Sequence, residues 1–206
     1  PYVGLFLKTN DYITLLPKNT PEKLARQIEH ALQTKPVRLF VNQSHLLGLF
    51  TALNDNGCVM QDSAERQDIQ LLKKTGLNVS LLKTHSPGIN ILCNNKAALL
   101  NPDIPAFEAK KIGDCLGVEV FRQKTGVKTV GTGNVVTDNG LLAYNETSGV
   151  ELKYLEKIFQ VKGIEGTTNF GSAFNGLGAV ANKKGALVGE LTTGVETQRV
   201  FEALGG

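Results

Sequence analysis

Cysteine and long apolar runs are both scarce in this chain of 206 residues. It has three cysteines, Cys58, Cys93 and Cys115, and no C-x-x-C pair. An odd count without metal-ligand spacing argues against a disulfide framework and against a cysteine-based zinc site. No apolar run reaches the ~18 residues that a membrane helix needs, and no signal-peptide pattern begins the chain. We therefore expect a protein of the reducing cytoplasm that does not contact membranes.

A large excess of one charge sign is absent as well. The chain has 22 Lys and Arg against 19 Asp and Glu, a net charge of +3. Cut after residues 36, 76, 117 and 160, its five segments carry +2, 0, +1, 0 and 0. A protein that binds mainly through phosphate contacts usually has a larger, clustered basic excess. Any contact with RNA is therefore expected to be shared with protein surface.

An internal repeat runs through the whole chain. Glycines recur at intervals of 44, 40, 43 and 45 residues, at Gly4, Gly48, Gly88, Gly131 and Gly176. Six residues after each glycine stands a polar residue: Asn10, Asn54, Asn94, Thr137 and Asn182. Eleven residues after each glycine stands an aliphatic one: Leu15, Val59, Leu99, Leu142 and Leu187. Matching offsets of this kind indicate a repeat architecture, with units at about 1–36, 37–76, 77–117, 118–160 and 161–206.

Each unit reads as three short strands and a helix. An extended run such as 37–41 precedes the glycine, and a second strand such as 135–136 follows it. A polar turn such as 54–57 leads to a short aliphatic strand such as 97–100, since Asn and Gly tolerate positive φ. Helices follow, with apolar residues at helical spacing. Capping boxes mark two helix starts: Ser148 with Glu151, and Thr193 with Glu196.

Five such β-β-β-α units predict an α/β fold in one domain. One unit cannot bury both faces of its small sheet, so the units must stack. The last unit looks ordinary and lacks the features of a cap, which favours a closed ring over an open stack. The first unit departs from the pattern, because only three residues precede Gly4 and its first strand is mostly missing.

The chemically active side chains are interpreted as structural. All three cysteines stand at repeat positions that other units fill with small or apolar residues. His45 and His85 each precede a repeat glycine by three residues, but a metal would want a third ligand, and the other loops offer none in register. The cluster 131–133 lacks the remainder of a phosphate loop and reads as the start of a strand. Lys183 and Lys184, at a turn tip, read as a solvated surface. No metal or cofactor is expected.

Several motifs resemble one known family. They include Val118–Gln123 (VEVFRQ), Gly166–Ser172 (GTTNFGS) and Gly185–Gly194 (GALVGELTTG), with looser matches at Leu15–Pro17 and Ser44–Gly48. This pattern resembles the translation initiation factor 6 family of archaea and eukaryotes over essentially the whole chain. The resemblance implies a five-fold pseudosymmetric α/β propeller, the pentein architecture.

The resemblance also implies a function that involves no reaction, nucleotide or metal. Members of the family bind the large ribosomal subunit on the face that meets the small subunit, beside the sarcin–ricin loop and neighbouring ribosomal proteins. They prevent subunit joining sterically, and the eukaryotic branch also acts in large-subunit maturation. A monomer is expected, because a closed ring leaves few strand edges to pair.

The resemblance places the contact surface on the rim formed by the loops around the repeat glycines. Transferred to this chain, the candidate ribosome-binding residues are Gly4, His45, Leu49, Gly88, Ile89 and Asn90. Two departures affect individual contacts. The family commonly has Gly-Asn where this chain has Gly88-Ile89, and small residues where it has Asn42-Gln43.

Two other functions compete with this reading. Some penteins modify guanidino groups through a cysteine near the C-terminus, but this chain has no Cys after Cys115 and no His after His85. All three thiols are therefore expected to be unreactive in the folded protein. A generic protein-binding scaffold is the other alternative.

Overall fold

The computed structural model describes residues 2–205, which form a mixed α/β fold with five small sheets. The helices are α1 (Val3–Phe6), α2 (Glu22–Leu32), α3 (Leu47–Phe50), α4 (Arg66–Lys74), α5 (Pro87–Asn90), α6 (Ala106–Leu116), α7 (Val130–Gly133), α8 (Gly149–Phe159), α9 (Asn175–Gly178) and α10 (Gly194–Leu204). The strands are β1 (Lys8–Thr9), β2 (Ile13–Pro17), β3 (Lys35–Leu39), β4 (Thr51–Leu53), β5 (Gly57–Gln61), β6 (Asn78–Leu82), β7 (Ile91–Cys93), β8 (Ala97–Leu100), β9 (Glu119–Arg122), β10 (Val135–Val136), β11 (Gly140–Ala143), β12 (Lys162–Glu165), β13 (Ala179–Asn182) and β14 (Gly185–Val188). Within this range no helix has the length and apolar character that crossing a membrane requires.

Each sheet is built on an antiparallel hairpin. In the first sheet β1 pairs with β2, with Thr9 opposite Thr14, and β3 then pairs parallel to β2, with Val37 opposite Leu15. The second, third and fourth sheets repeat this arrangement, and the long helix of each unit connects the two parallel strands. In the fifth sheet the residues described contribute the hairpin of β13 and β14 alone.

The polar residue six positions after each glycine closes the hairpin turn. The side-chain Oδ1 of Asn54 accepts hydrogen bonds from the backbone N–H groups of Asn56 and Gly57, at 3.0 and 3.1 Å. The equivalent side chains Asn10, Asn94 and Asn182 accept in the same way, and the hydroxyl of Thr137 does so in the fourth unit. The recurring polar residue is therefore a turn-forming device.

The sheets are offset by one strand from the units read in the sequence. The run 37–41, expected to open the second unit, overlaps β3, which pairs with β2 in the first sheet. Chain order does not show which neighbour a strand bonds, and each of the first four sheets takes its third strand from the unit that follows it in the sequence. The strand expected to be missing from the first unit is consequently not missing there, and it is the fifth sheet that has two strands within residues 2–205.

The repeat glycines lie in one-turn helices that the sequence reading missed. Gly4, Gly48, Gly88, Gly131 and Gly176 fall in α1, α3, α5, α7 and α9 respectively. The cluster 131–133, predicted to start a strand, belongs to α7. Four residues are too few to show a helical period in a sequence.

Helix caps follow the sequence in part. Thr193 and Glu196 form the predicted capping box at the start of α10. Ser148 caps α8 by accepting a hydrogen bond from the Glu151 N–H at 3.2 Å. The carboxylate of Glu151 does not complete that box, because it accepts a hydrogen bond from Gln123 Nε2 at 2.8 Å instead.

The core consists of layers in which the long helix of one unit packs on the sheet of the unit before. Leu72 of α4 packs with Leu15 and Leu39 of the first sheet. Leu32 of α2, in the first unit, likewise packs with Val180 of the fifth sheet, in the last unit. The one-turn helices also contact one another in sequence order, and α1 contacts α9 as well as α3.

Candidate functional site

One end of the molecule is formed by the five one-turn helices, which approach one another through their glycines. A Cβ atom on Gly48 would lie 1.7 Å from the carbonyl oxygen of Gly4, and one on Gly88 would lie 1.8 Å from that of Gly48. A Cβ atom on Gly4 would lie 2.1 Å from the carbonyl oxygen of Gly176. Any side chain would collide with backbone at these positions, so glycine is required there. We call this the glycine end.

Three of the six predicted contact residues are buried at the glycine end. Gly4 and Gly88 pack against neighbouring backbone. Asn90 is buried, donates to the carbonyl of Ser86 at 2.9 Å and accepts from Asn101 Nδ2 at 2.8 Å. These three residues therefore hold the helices in place from the inside.

The other three predicted residues reach the surface. His45 is exposed, with its ring edge-on to Phe40 at a centroid distance of 5.0 Å. Leu49 and Ile89 are half-buried at equivalent positions of α3 and α5. The structure therefore places apolar side chains beside the glycines.

The sequence reading missed exposed aromatic residues at this end. Phe6 ends α1, Phe174 precedes α9, and Phe170 lies in the loop that leads to α9. Phe6 and His45 line a groove of about 400 Å³ beside α2 and β14. Phe170 was visible inside the GTTNFGS motif, but nothing in that pattern predicts whether its ring faces inward or outward.

The loop before α9 is organised by one carboxylate. Glu196 accepts hydrogen bonds from the N–H groups of Phe170, Gly171 and Thr193, at 3.1, 2.8 and 2.8 Å. It also accepts from the hydroxyl of Thr167 at 2.8 Å. Burial alone would raise the pKa of Glu196, but these hydrogen bonds outweigh it and lower the pKa to about 2. The carboxylate is thus ionised at neutral pH.

At the opposite end, the turn end, the hairpin turns are joined from unit to unit. Asn54 Nδ2 donates to the carbonyls of Asn94 and Leu116, at 3.0 and 2.9 Å. Asn10 donates to the carbonyl of Asn54 at 2.9 Å, and Asn182 donates to that of Asn10 at 3.0 Å. Asn94 Nδ2 donates to the carbonyl of Thr137 at 3.2 Å, so the side chains that shape the turns also link all five units.

Next to these turns lies a charged group that we call the acidic cluster. Its members each follow the turn-forming residue by one position: Asp11, Asp55, Asn95, Asp138 and Lys183. Oxygens of the three carboxylates come within 4.8 Å of one another, a spacing that suits a cation. The ammonium of Lys183 already serves as one, since it lies 2.7 Å from an Asp11 oxygen and 3.5 Å from an Asp138 oxygen.

Hydrogen bonds and charges in the acidic cluster are coupled. Asn95 Nδ2 donates to Asp55 and to Asp138, each at 2.7 Å. The backbone N–H of Asp11 donates to the carboxylate of Asp55, and that of Lys183 donates to the carboxylate of Asp11, each at 3.0 Å. Burial raises the pKa of Asp55, with a further contribution from the charge of Asp11. The pKa of Lys183 is raised, chiefly by the hydrogen bond that its ammonium donates to Asp11. Lys183 is exposed, as the sequence predicted, and it is also an ion-pairing residue, which the sequence did not reveal.

A small cavity is lined by residues of β1, β4, β7, β10 and β13, and Lys8 and Cys93 are among them. Burial raises the pKa of Cys93 to about 12, although the charge of Lys8 opposes this, and burial lowers the pKa of Lys8. Burial also raises the pKa of Cys58 and of Cys115. None of the three thiols has the depressed pKa of an activated nucleophile.

Comparison with known proteins gives the class first. The chain is 39% identical over 206 residues to translation initiation factor 6 of Pyrobaculum arsenaticum, covering 98% of this chain and 94% of that protein. It is 40% identical over 209 residues to the factor of Saccharolobus islandicus, with the same coverage. The factor of Pyrococcus horikoshii is 34% identical over 214 residues, covering 100% and 94%. Each of these relatives is named as a translation initiation factor.

The family model described as the eIF-6 family matches residues 1–203. The chain therefore belongs to the eIF-6 family, which confirms the resemblance read from its motifs.

Proposed function

We propose that this protein binds the large ribosomal subunit on its inter-subunit face and prevents joining with the small subunit by occupying that face. The observation that carries the proposal is the glycine end, where apolar and aromatic side chains are exposed on a rigid base. Interfaces are enriched in such side chains, and the most important contacts are often aromatic. Family membership along the whole chain supports the same role.

Within this proposal the six predicted contact residues have two roles. His45, Leu49 and Ile89 contact the subunit from the surface of the glycine end. Gly4, Gly88 and Asn90 fix the backbone beneath that surface. The partners are ribosomal proteins and rRNA near the sarcin–ricin loop, and the modest charge of +3 fits a footprint that is partly protein.

The proposed architecture is a closed, five-bladed α/β propeller in one domain, divided at about residues 36, 76, 117 and 160. Contact between α1 and α9 supports it, since these helices belong to the first and last units. The hydrogen bonds from Asn182 to the carbonyls of Asn10 and Leu32 support it as well. Such a base would hold the glycine end rigid as it docks.

Sedimentation with separated ribosomal subunits tests the proposal. Purified protein is mixed at micromolar concentration with large subunits, or with small subunits, and run on sucrose gradients. We expect co-migration with the large subunit and none with the small one. Absence from the large-subunit fraction would refute the proposed function and would favour the scaffold alternative.

A further inference from the structure

The loop before α9 holds a phenylalanine in an unusual outward position. Phe170 has 82% of its surface exposed, far more than a side chain of this size usually leaves in water. Its φ is 60° and that of Asn169 is 50°, both in the left-handed region that residues other than glycine seldom adopt. For a bulky residue such as Phe this backbone is unfavourable, so surrounding contacts must enforce it.

Those contacts come from the start of α10. The Phe170 and Gly171 N–H groups both donate to Glu196, and the Asn169 N–H donates to Thr192 Oγ1 at 3.1 Å. Because Glu196 is ionised at neutral pH, its hydrogen bonds are of the strong, charge-assisted kind. The phenyl group is thus presented on a fixed backbone, and less conformational entropy is lost when it binds.

Further apolar side chains are exposed in the segments that these hydrogen bonds join. Val195 is 81% exposed at the start of α10, and Leu191 is 57% exposed just before it. We call Phe170, Leu191 and Val195 the Phe170 patch. Its members lie on both sides of the Glu196 hydrogen bonds, which hold the loop before α9 against the start of α10.

The charge around the Phe170 patch identifies the kind of partner. Glu165 and Glu190 are exposed in these segments, and exposed Arg199 lies one helical turn after Val195, with its side chain against Gly166. A surface of small, mixed charge without a basic cluster offers few phosphate contacts, which favours a protein partner over RNA. Its exposed apolar side chains complement an apolar pocket on a protein surface.

We propose that Phe170 is the anchor by which this chain docks into an apolar pocket of a protein of the large ribosomal subunit. The proposal rests on the proposed function. It adds that Phe170 makes the central contact and that this contact is with a ribosomal protein. The remaining rim, with Leu49 and Ile89, contributes contacts around the anchor.

The test compares two exposed phenylalanines on the same protein. Phe170→Ser is expected to weaken binding to large subunits at least tenfold, measured as the protein concentration for half-maximal co-sedimentation. Phe201→Ser is the matched control, because Phe201 is 62% exposed in the last turn of α10, away from the patch. Circular dichroism verifies that both variants are folded, and we expect the control to bind like the wild type.

A photo-crosslinking residue identifies the partner. With benzoylphenylalanine at position 170, we expect crosslinks to a ribosomal protein. Unchanged affinity of Phe170→Ser, or crosslinks mainly to rRNA, would overturn this inference while the proposed function stands. If wild-type protein fails to bind large subunits, the proposed function and this inference both fall.

Discussion

Replacing Gly48 with alanine is expected to destabilise the protein by about 4 kcal/mol or more, or to prevent folding. The new Cβ would lie 1.7 Å from the carbonyl oxygen of Gly4 and 2.7 Å from its carbonyl carbon. Both are backbone atoms of α1, which cannot retreat easily because Gly4 itself packs on the carbonyl of Gly176. Overpacking usually costs about 1–3 kcal/mol when side chains can adjust. Here a backbone contact between two units must break.

Urea unfolding followed by circular dichroism measures this effect, and Gly149→Ala is its control. Gly149 is exposed at the start of α8, and a Cβ there would meet no atom within 4 Å. Alanine is the better helix former, so the control is expected to be neutral or stabilising by up to about 1 kcal/mol. Equal stability of the two variants would show that the glycines are not in the tight contact described.

Replacing Lys183 with methionine is expected to lower the free energy of unfolding at pH 7 by about 1–2 kcal/mol. The substitution leaves Asp11, Asp55 and Asp138 within 4.8 Å of one another without the ammonium that offsets their charge. The effect is no larger because the Lys183 side chain is 41% exposed and solvent screens its charge.

This deficit should depend on pH in a defined direction. The pKa of Asp55 is raised in the folded state, so acidification protonates it there before it protonates in the unfolded chain. Lowering the pH from 7 towards 4 therefore relieves repulsion in the variant and narrows its difference from the wild type. The raised pKa of Lys183 keeps its contribution present below about pH 10.

Thermal unfolding at several pH values tests this dependence. Lys153→Met is the control, since Lys153 is exposed on α8, outside the acidic cluster. We expect the control variant to unfold at nearly the same temperature as the wild type at every pH. A Lys183→Met deficit that is absent at pH 7, or that grows as the pH falls, would contradict the described electrostatics of the cluster.

The sequence predicted the elements better than their grouping. The strand 135–136 and the turn residues Asn54 and Thr137 were predicted correctly, because β-branched residues and turn chemistry are local signals. The pairing of β3 with β2 was missed, because hydrogen bonds between strands depend on the fold and not on chain order. The one-turn helices were missed because their glycines are selected by contact between units, which a propensity does not reflect.

The site was predictable only in part for the same reason. The sequence shows that Asp11, Asp55 and Asp138 each follow a turn-forming residue. That their carboxylates come together depends on the turns meeting in space, which the sequence does not show. Asn90 was predicted to contact the ribosome from the surface, whereas it is buried and its side-chain amide forms hydrogen bonds with Ser86 and Asn101. The outward orientation of Phe170 depends on Glu196, 26 residues further along the chain.

The most direct test of the central claim is a subunit-joining assay. Purified large and small subunits are mixed under ionic conditions that favour joining, with increasing amounts of this protein, and resolved on sucrose gradients. Occlusion of the inter-subunit face predicts that the joined-ribosome peak falls as protein is added and that the protein migrates with free large subunits. A joined peak that persists while the protein is bound to the large subunit would contradict the account.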